Sequence, residues 1–101
     1  MSARSLCYGF ALILGASAPG VAQQAGDPAA GQRLAEASCL VCHDSAGSHR
    51  APAFSAVAAM PSTTAMSLGV FLRTSHPTMP NLMLTTVERD DVIAYILSLR
   101  K

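Results

Sequence analysis

The feature that most constrains this chain is the pentapeptide Cys39-Leu40-Val41-Cys42-His43. Two thiols three positions apart can add to the two vinyl groups of one haem, and the adjacent histidine can then reach the haem iron. The spacing therefore predicts one covalently attached haem c, held by Cys39 and Cys42, with His43 as an axial ligand of the iron.

Two other kinds of site use the same residue types. A thioredoxin-like thiol-disulfide pair is one, but such a pair opens a helix after a strand, and no strand is predicted near these cysteines. A zinc site built from Cys39, Cys42, His49 and His76 is the other, although a second paired spacing is missing. Both remain alternatives to the haem interpretation.

The N-terminal segment has the three parts of a secretory signal peptide. Arg4 precedes the apolar stretch 6–16, and the small residues of Gly20-Val21-Ala22 precede Gln23. The apolar stretch is about half as long as a membrane-spanning helix. We therefore expect residues 1–22 to be a cleaved signal peptide and residues 23–101 to form one domain, exported to the periplasm without stable membrane insertion.

The charge balance excludes some classes of partner. The full chain carries a formal net charge of +1 at pH 7, and removing the leader with Arg4 leaves a neutral domain. No basic face for nucleic acid is predicted. A domain this short also needs a disulfide, a metal or a cofactor for stability, so we expect the chain without haem to be largely unfolded.

The helical pattern starts after a leader, residues 23–26, that we expect to be frayed. Asp27 and Pro28 are typical of a helix start and predict a helix over residues 28–37. Gly31 within this helix suggests that another backbone approaches closely. Residues 38–59 are predicted to form a loop, with a short helical turn over 54–59.

Two more helices are predicted in the second half of the chain. Ser62 is expected to cap a helix over 63–74, and Thr85 with Glu88 has the spacing of a capping box for a helix that ends at Leu99. No strand is indicated. The fold class is therefore all-α, with three to four helices and loops wrapped around one haem.

An electron-carrying haem iron needs a sixth ligand besides His43. Met79 is preferred because it lies between Pro77 and Pro80, in a loop too stiff to join the core as ordinary packing. His76 is its main competitor. Of the other candidates, which are Met60, Met66, Met83 and His49, we expect the three methionines to fill the core.

The residues resemble a known family, the class I c-type cytochromes, over essentially all of residues 23–101. Gly31, then the Cys39–His43 motif, then Met79-Pro80 and a last helix with Tyr95 occur in the family's order. The resemblance implies that the first and last helices cross near Gly31 and Tyr95.

The resemblance also implies roles for residues around the haem. The carbonyl of Pro52 would accept a hydrogen bond from His43. Apart from the resemblance, we expect Leu68 and Leu72 to line the haem pocket together with Leu40, Val41 and Met83. Phe71 lies about where many relatives have a tyrosine that can bond the methionine sulfur.

The function predicted from these residues is the transfer of single electrons between larger redox proteins, such as a dehydrogenase, an oxidase or a reductase. We expect a monomer that transforms no substrate. A haem enzyme or ligand sensor with a labile sixth ligand is an alternative, and so is an electron-transfer subunit of a dehydrogenase.

Overall fold

The structure, a computed structural model, describes residues 15–16, 25–44, 46, 51–74 and 76–101. It contains four helices and, in these ranges, no β-strand: α1 (Pro28–Ser38), α2 (Phe54–Ala59), α3 (Ala65–Phe71) and α4 (Thr86–Ser98). The all-α prediction is confirmed. The predicted signal peptide lies outside the described residues, apart from Gly15 and Ala16, and stays a prediction.

Helix α1 begins where local chemistry predicts. The Asp27 side chain accepts a hydrogen bond from the amide of Ala29, and Pro28 occupies the first turn, where an amide hydrogen would have no helical partner. The helix ends at Ser38, one residue later than predicted.

Helices α1 and α4 cross with their backbones in contact at Gly31. A Cβ atom at Gly31 would lie 1.9 Å from the Asp91 carbonyl oxygen and 2.9 Å from Tyr95 Cβ. Only a glycine permits this approach, and the expected crossing near Gly31 and Tyr95 is observed. Ala35, one turn later on α1, is completely buried at the same interface.

The segment before α1 is anchored to α4, so the prediction of a frayed leader is wrong for its described end. Gly26 has φ +103°, a conformation that side chains disfavour, and a Cβ there would lie 2.2 Å from the Asp90 carbonyl oxygen. The neighbouring amide of Asp27 donates to Asp91 Oδ1 at 2.7 Å. The chain therefore enters α1 along a fixed path over α4.

Among the described helices, α4 supplies the largest number of buried residues. Thr85 and Glu88 form the predicted capping box, because each side chain bonds the backbone amide of the other. Val92 and Ile96 are the largest fully buried side chains. They pack with buried residues from the other three helices, which are Ala35, Phe54, Ala58 and Leu68.

Helix α3 is shorter than predicted, and its cap is Thr64 instead of Ser62. Thr64 and Ser67 form a reciprocal capping box. Thr63 is excluded from the helix because its buried hydroxyl donates to the Val57 carbonyl at 2.6 Å. At the other end the helix stops at Phe71, and the following residues turn away.

Arg100 connects the C-terminal end of the chain to α2 and to the turn before α3. The Arg100 guanidinium donates from Nε to the Ala58 carbonyl at 3.0 Å and from Nη2 to the Thr63 carbonyl. These two bonds join the end of α4 to the end of α2 and to the turn before α3. Among the described helices, none is long and apolar enough to cross a membrane.

Candidate haem site

The turn that follows α1 brings both cysteines of the motif and its histidine to one face. The amides of Cys42 and His43 both donate to the Cys39 carbonyl, at 3.1 and 2.9 Å. The chain thus continues with helical spacing for one more turn, in which residues three and four apart are neighbours. Cys39 is buried, while Cys42 and His43 are half-buried.

The His43 imidazole is held on two sides. Its Nδ1 lies 2.7 Å from the Pro52 carbonyl oxygen, the contact that the family resemblance implies. Since a carbonyl only accepts, Nδ1 donates the hydrogen of this bond, which leaves Nε2 as the ring nitrogen outside it. One face of the ring stacks on Phe54, with centroids 4.7 Å apart and planes at 26°. The ring is thus oriented in the way typical of a ligating histidine, with Nδ1 bonded to a backbone carbonyl and Nε2 as the nitrogen left for a metal.

Met79 lies in a tight turn with strained backbone. The Met79 amide donates to the His76 carbonyl at 3.1 Å, which closes a four-residue turn with Pro77 at its second position. Thr78, at the third position, has φ +72°, which is unfavourable for a β-branched residue. The turn therefore fixes the position of Met79 at some conformational cost.

These two segments line the same open cleft, which has a volume of about 160 Å³. Cys39, Cys42, His43 and Met79 all border it, so the structure brings together the four residues predicted to hold the haem. The remaining lining residues come from the same two segments and from the loop before α2: Ser38, Val41, Ala51, Pro52, His76, Pro77, Thr78, Pro80 and Leu82.

His76 borders the same cleft and has an unsatisfied buried atom. Its Nδ1 has no hydrogen-bond partner among the residues that the structure describes, and its ring meets Phe71 edge to face with centroids 5.8 Å apart. Because a buried polar nitrogen is normally bonded, this atom marks the cleft as a place where a further group is expected. His76 therefore stays the competitor of Met79 for the sixth position.

The local chemistry does not favour the thiol-disulfide alternative. Burial raises the pKa of the Cys39 thiol, whereas a reactive cysteine of a redox pair has a lowered pKa. For the zinc alternative, the described residues contain no group of three or more His, Cys, Asp or Glu side chains that could hold a metal ion. The proposed zinc ligand His49 lies outside the described residues.

Several predicted pocket residues lie elsewhere. Leu68 is buried in the core and Leu72 packs against that core, and neither lines the cleft. Their contact with the haem stays a prediction. Leu82, which does line the cleft, is missing from the sequence prediction, although its position three residues after Met79 is a usable signal.

The prediction that the other methionines fill the core is wrong. Met60 is 45% exposed, Met66 82% and Met83 89%. Leu68 supplies the buried side chain of α3, and Met66 is not part of the core. Met83 lies in the non-helical segment before α4. Met79 differs from all three because it is half-buried and borders the cleft.

The helical fold and a cleft bordered by a Cys-x-x-Cys-His motif and a methionine loop define the c-type cytochrome class. Among curated proteins, the chain is 34% identical to cytochrome c-552 of Bradyrhizobium diazoefficiens over 97 residues, which cover 91% of this chain and 93% of the relative. No protein-family model and no solved structure matches the chain. The chain belongs to the class I c-type cytochromes, as its sequence predicted.

Membership of this family means that the protein is an electron carrier with covalently bound haem c. The residues of the cleft fit that group. They offer two cysteines, an imidazole with Nε2 available and a thioether. Val41, between the cysteines, is 83% exposed at the cleft, where it can cover an apolar macrocycle.

Proposed function

We propose that the protein is a periplasmic carrier of single electrons whose haem is attached at Cys39 and Cys42 and whose iron is ligated by His43 and Met79. The observation that carries this proposal is the shared cleft: these four residues come from two distant segments of the chain and border the same space. Signal peptidase would remove residues 1–22, and residues 23–101 would form the mature domain.

Bound haem c supplies a single iron that alternates between the ferric and ferrous states. The protein's part would be to keep the two ligating side chains in place in both states, so that little would rearrange when an electron arrives or leaves. His43 does so through the Nδ1 bond to Pro52 and the stack on Phe54. Met79 does so because the turn closed by His76 restricts its backbone.

The methionine thioether sets the direction of the reduction potential. Sulfur favours ferrous iron, so ligation by His43 and Met79 gives a higher potential than ligation by two histidines. Phe71 lacks the hydroxyl with which a tyrosine at this position could bond the sulfur, and it packs against His76 instead. Because ligation by two histidines gives the lower potential, His76 as the sixth ligand would give a clearly lower reduction potential than Met79.

Electron partners are proposed to meet the protein at the apolar surface around the motif. Val41 is an exposed apolar side chain there, and the domain without its leader is formally neutral with a single lysine, Lys101. Partners such as a dehydrogenase, an oxidase or a reductase would then be recognised by apolar contact instead of a ring of lysines. We expect a monomer and a shallow salt dependence of the association rate.

The proposal is tested by visible absorption spectra of the protein produced in a periplasm with haem-maturation machinery. We expect a sharp c-type band in the reduced form and the weak long-wavelength iron–sulfur band in the oxidised form. Met79→Ala should abolish the iron–sulfur band and lower the potential by a substantial part of the ~0.8 V range that axial ligands control. Met83→Ala, a matched change at an exposed methionine, should leave both unchanged.

Other spectra would contradict the proposal. An iron–sulfur band that survives Met79→Ala would assign the ligand to another methionine. Suppose that the wild type carries attached haem but lacks this band. If His76→Ala then has an open sixth position, the ligand is His76. Rapid loss of the band under carbon monoxide would favour a ligand sensor or haem enzyme, and a protein without haem would return Cys39 and Cys42 to thiol chemistry.

A further inference from the structure

Phe54 has a contact that the proposed electron transfer does not by itself require. Its ring lies against His43 with centroids 4.7 Å apart and planes only 26° from parallel. The side chain is 7% exposed and belongs to the core, so the surrounding packing restricts its motion. Its other neighbour is Tyr95 of α4, which it meets edge to face at 6.4 Å and 73°.

We propose that Phe54 is a positioning residue that fixes the plane of the axial His43 imidazole, an inference that rests on ligation by His43. The Pro52 carbonyl alone fixes the direction of Nδ1–H but permits the ring to turn about that bond. A flat ring stacked on one face removes this remaining rotation. Two contacts with different geometry therefore define the ring plane.

The two contacts come from one short stretch of chain. Pro52 provides the acceptor, and Phe54, two residues later, provides the stack as the first residue of α2. Proline restricts its own backbone, and α2 restricts Phe54. Phe54 in turn contacts Tyr95 of α4, which lies at the α1–α4 crossing near Gly31. The rings of Phe54 and Tyr95 therefore link His43 to that crossing.

The ring plane has a spectroscopic consequence. The π orbitals of an axial imidazole overlap the iron d orbitals according to the orientation of the ring, so the plane determines how those orbitals split. In the oxidised low-spin protein this splitting sets the g values of the electron paramagnetic resonance spectrum. Phe54 also covers one face of the ring, which limits access of water to the Nδ1–H donor.

The test compares holoproteins with changes at Phe54 and at a control position. Phe54→Leu keeps apolar volume but removes the flat ring, and Phe54→Tyr keeps the ring. Val92→Ala removes packing from the same core at a side chain outside the ring stack. We expect Phe54→Leu to shift or broaden the g values and to speed hydrogen exchange of His43 Nδ1–H about two- to tenfold, the equivalent of one lost aromatic contact.

Phe54→Tyr should restore both properties to near wild type, and Val92→Ala should lower stability without moving the g values. Unchanged g values and exchange in Phe54→Leu, or equal changes in Val92→Ala, would overturn the inference. The wild-type iron–sulfur band is recorded first, so absence of His43–Met79 ligation is seen separately as failure of the proposed function.

A second measurement covers the case in which Phe54→Leu does not yield holoprotein. In the reduced, diamagnetic wild type, nuclear Overhauser effects between the Phe54 ring and His43 ring protons report the stack directly. Their presence supports the inference, and their absence overturns it.

Discussion

The α1–α4 crossing and the cleft beside it are built in opposite ways. At the crossing, Gly31 lets two backbones touch, and Ala35 and Val92 are completely buried. At the cleft, Val41 is exposed, Thr78 has positive φ, and the buried Nδ1 of His76 has no hydrogen-bond partner in the described part of the chain. The chain completes the crossing with its own atoms, whereas the cleft is the place that we propose for the haem.

The largest expected effect is loss of the group that completes the cleft. Replacing Cys39 and Cys42 with alanine should abolish haem attachment and leave a chain without a cooperative thermal transition, because so short a domain lacks a sufficient core. Circular dichroism melts of the purified chain measure this. Cys7→Ala, which removes the third cysteine from the predicted leader, should change neither property. A cooperative melt without haem would contradict the comparison.

The crossing is tested by adding one methyl group at a time. Gly31→Ala would place its Cβ against the Asp91 backbone, which cannot move aside cheaply, so we expect a loss of about 3 kcal/mol in the free energy of unfolding. Gly69→Ala is the matched control. Its Cβ would meet only Ile93 Cδ1 at 4.0 Å, so the better helix propensity of alanine should raise stability by up to ~1 kcal/mol.

Guanidinium unfolding of the two holoproteins measures both changes. A Gly31→Ala variant as stable as wild type would show that the two backbones are not in contact.

Strain in the methionine loop gives a smaller effect of opposite sign. Thr78→Gly should relieve the positive φ and, after the entropy that glycine adds to the unfolded chain, stabilise the loop by about 1 kcal/mol. The temperature at which the iron–sulfur band disappears reports this loop specifically. Asn81→Gly, in the same loop but without positive φ, should give no such gain, and equal behaviour of the two variants would refute the assignment of strain.

The smallest expected effect concerns the N-terminal cap of α4, which belongs neither to the α1–α4 crossing nor to the cleft. Hydrogen bonds from the Thr85 backbone and side chain hold the pKa of the Glu88 carboxyl below its usual value. The folded pKa is therefore lower than the unfolded one, so the stabilisation is present at neutral pH and is lost as pH falls through the folded value.

Glu88→Gln should thus be slightly less stable than wild type at neutral pH, and the difference should vanish in acid. Urea unfolding at a series of pH values measures it. Glu36→Gln, a matched change at an α1 side chain that caps no helix, is the control. A difference that grows toward acid pH would have the wrong sign.

Local chemistry made much of the scaffold predictable. Asp27-Pro28 and the Thr85–Glu88 box carry their caps within a few residues, so α1 and α4 were predicted to within one residue at most ends. Gly31 predicted the close approach of another backbone to α1, because glycine inside a helix is unfavourable unless the missing side chain is needed. The short α2 was predicted over its observed range.

The errors arose where tertiary contacts choose between local alternatives. Ser62 and Thr64 are both reasonable caps, and the choice depends on the bond from buried Thr63 to Val57. The prediction of a frayed leader fails at Gly26 because this glycine contacts the backbone of α4, which is distant in sequence.

At the site, motif and spacing predicted Cys39, Cys42, His43 and Met79 as the residues that hold the haem, and the family resemblance implied the contact between Pro52 and His43 that the structure contains. The stack of Phe54 on His43 was missed because ring orientation depends on the packing of α2 and α4. The exposure of Met66 and Met83 was missed because an apolar residue type does not reveal whether the chain or the haem covers it.

The central claim is that Met79 ligates the haem iron. Nuclear magnetic resonance of the reduced holoprotein, labelled at its methionine methyl groups, tests this claim most directly. Ligation places one methyl in the shielding region above the haem ring. We predict a single strongly upfield-shifted methyl signal that disappears in Met79→Leu, while the signals of Met60, Met66 and Met83 stay in the normal range. A spectrum without a shifted methyl, or a shifted signal that survives Met79→Leu, would contradict the account.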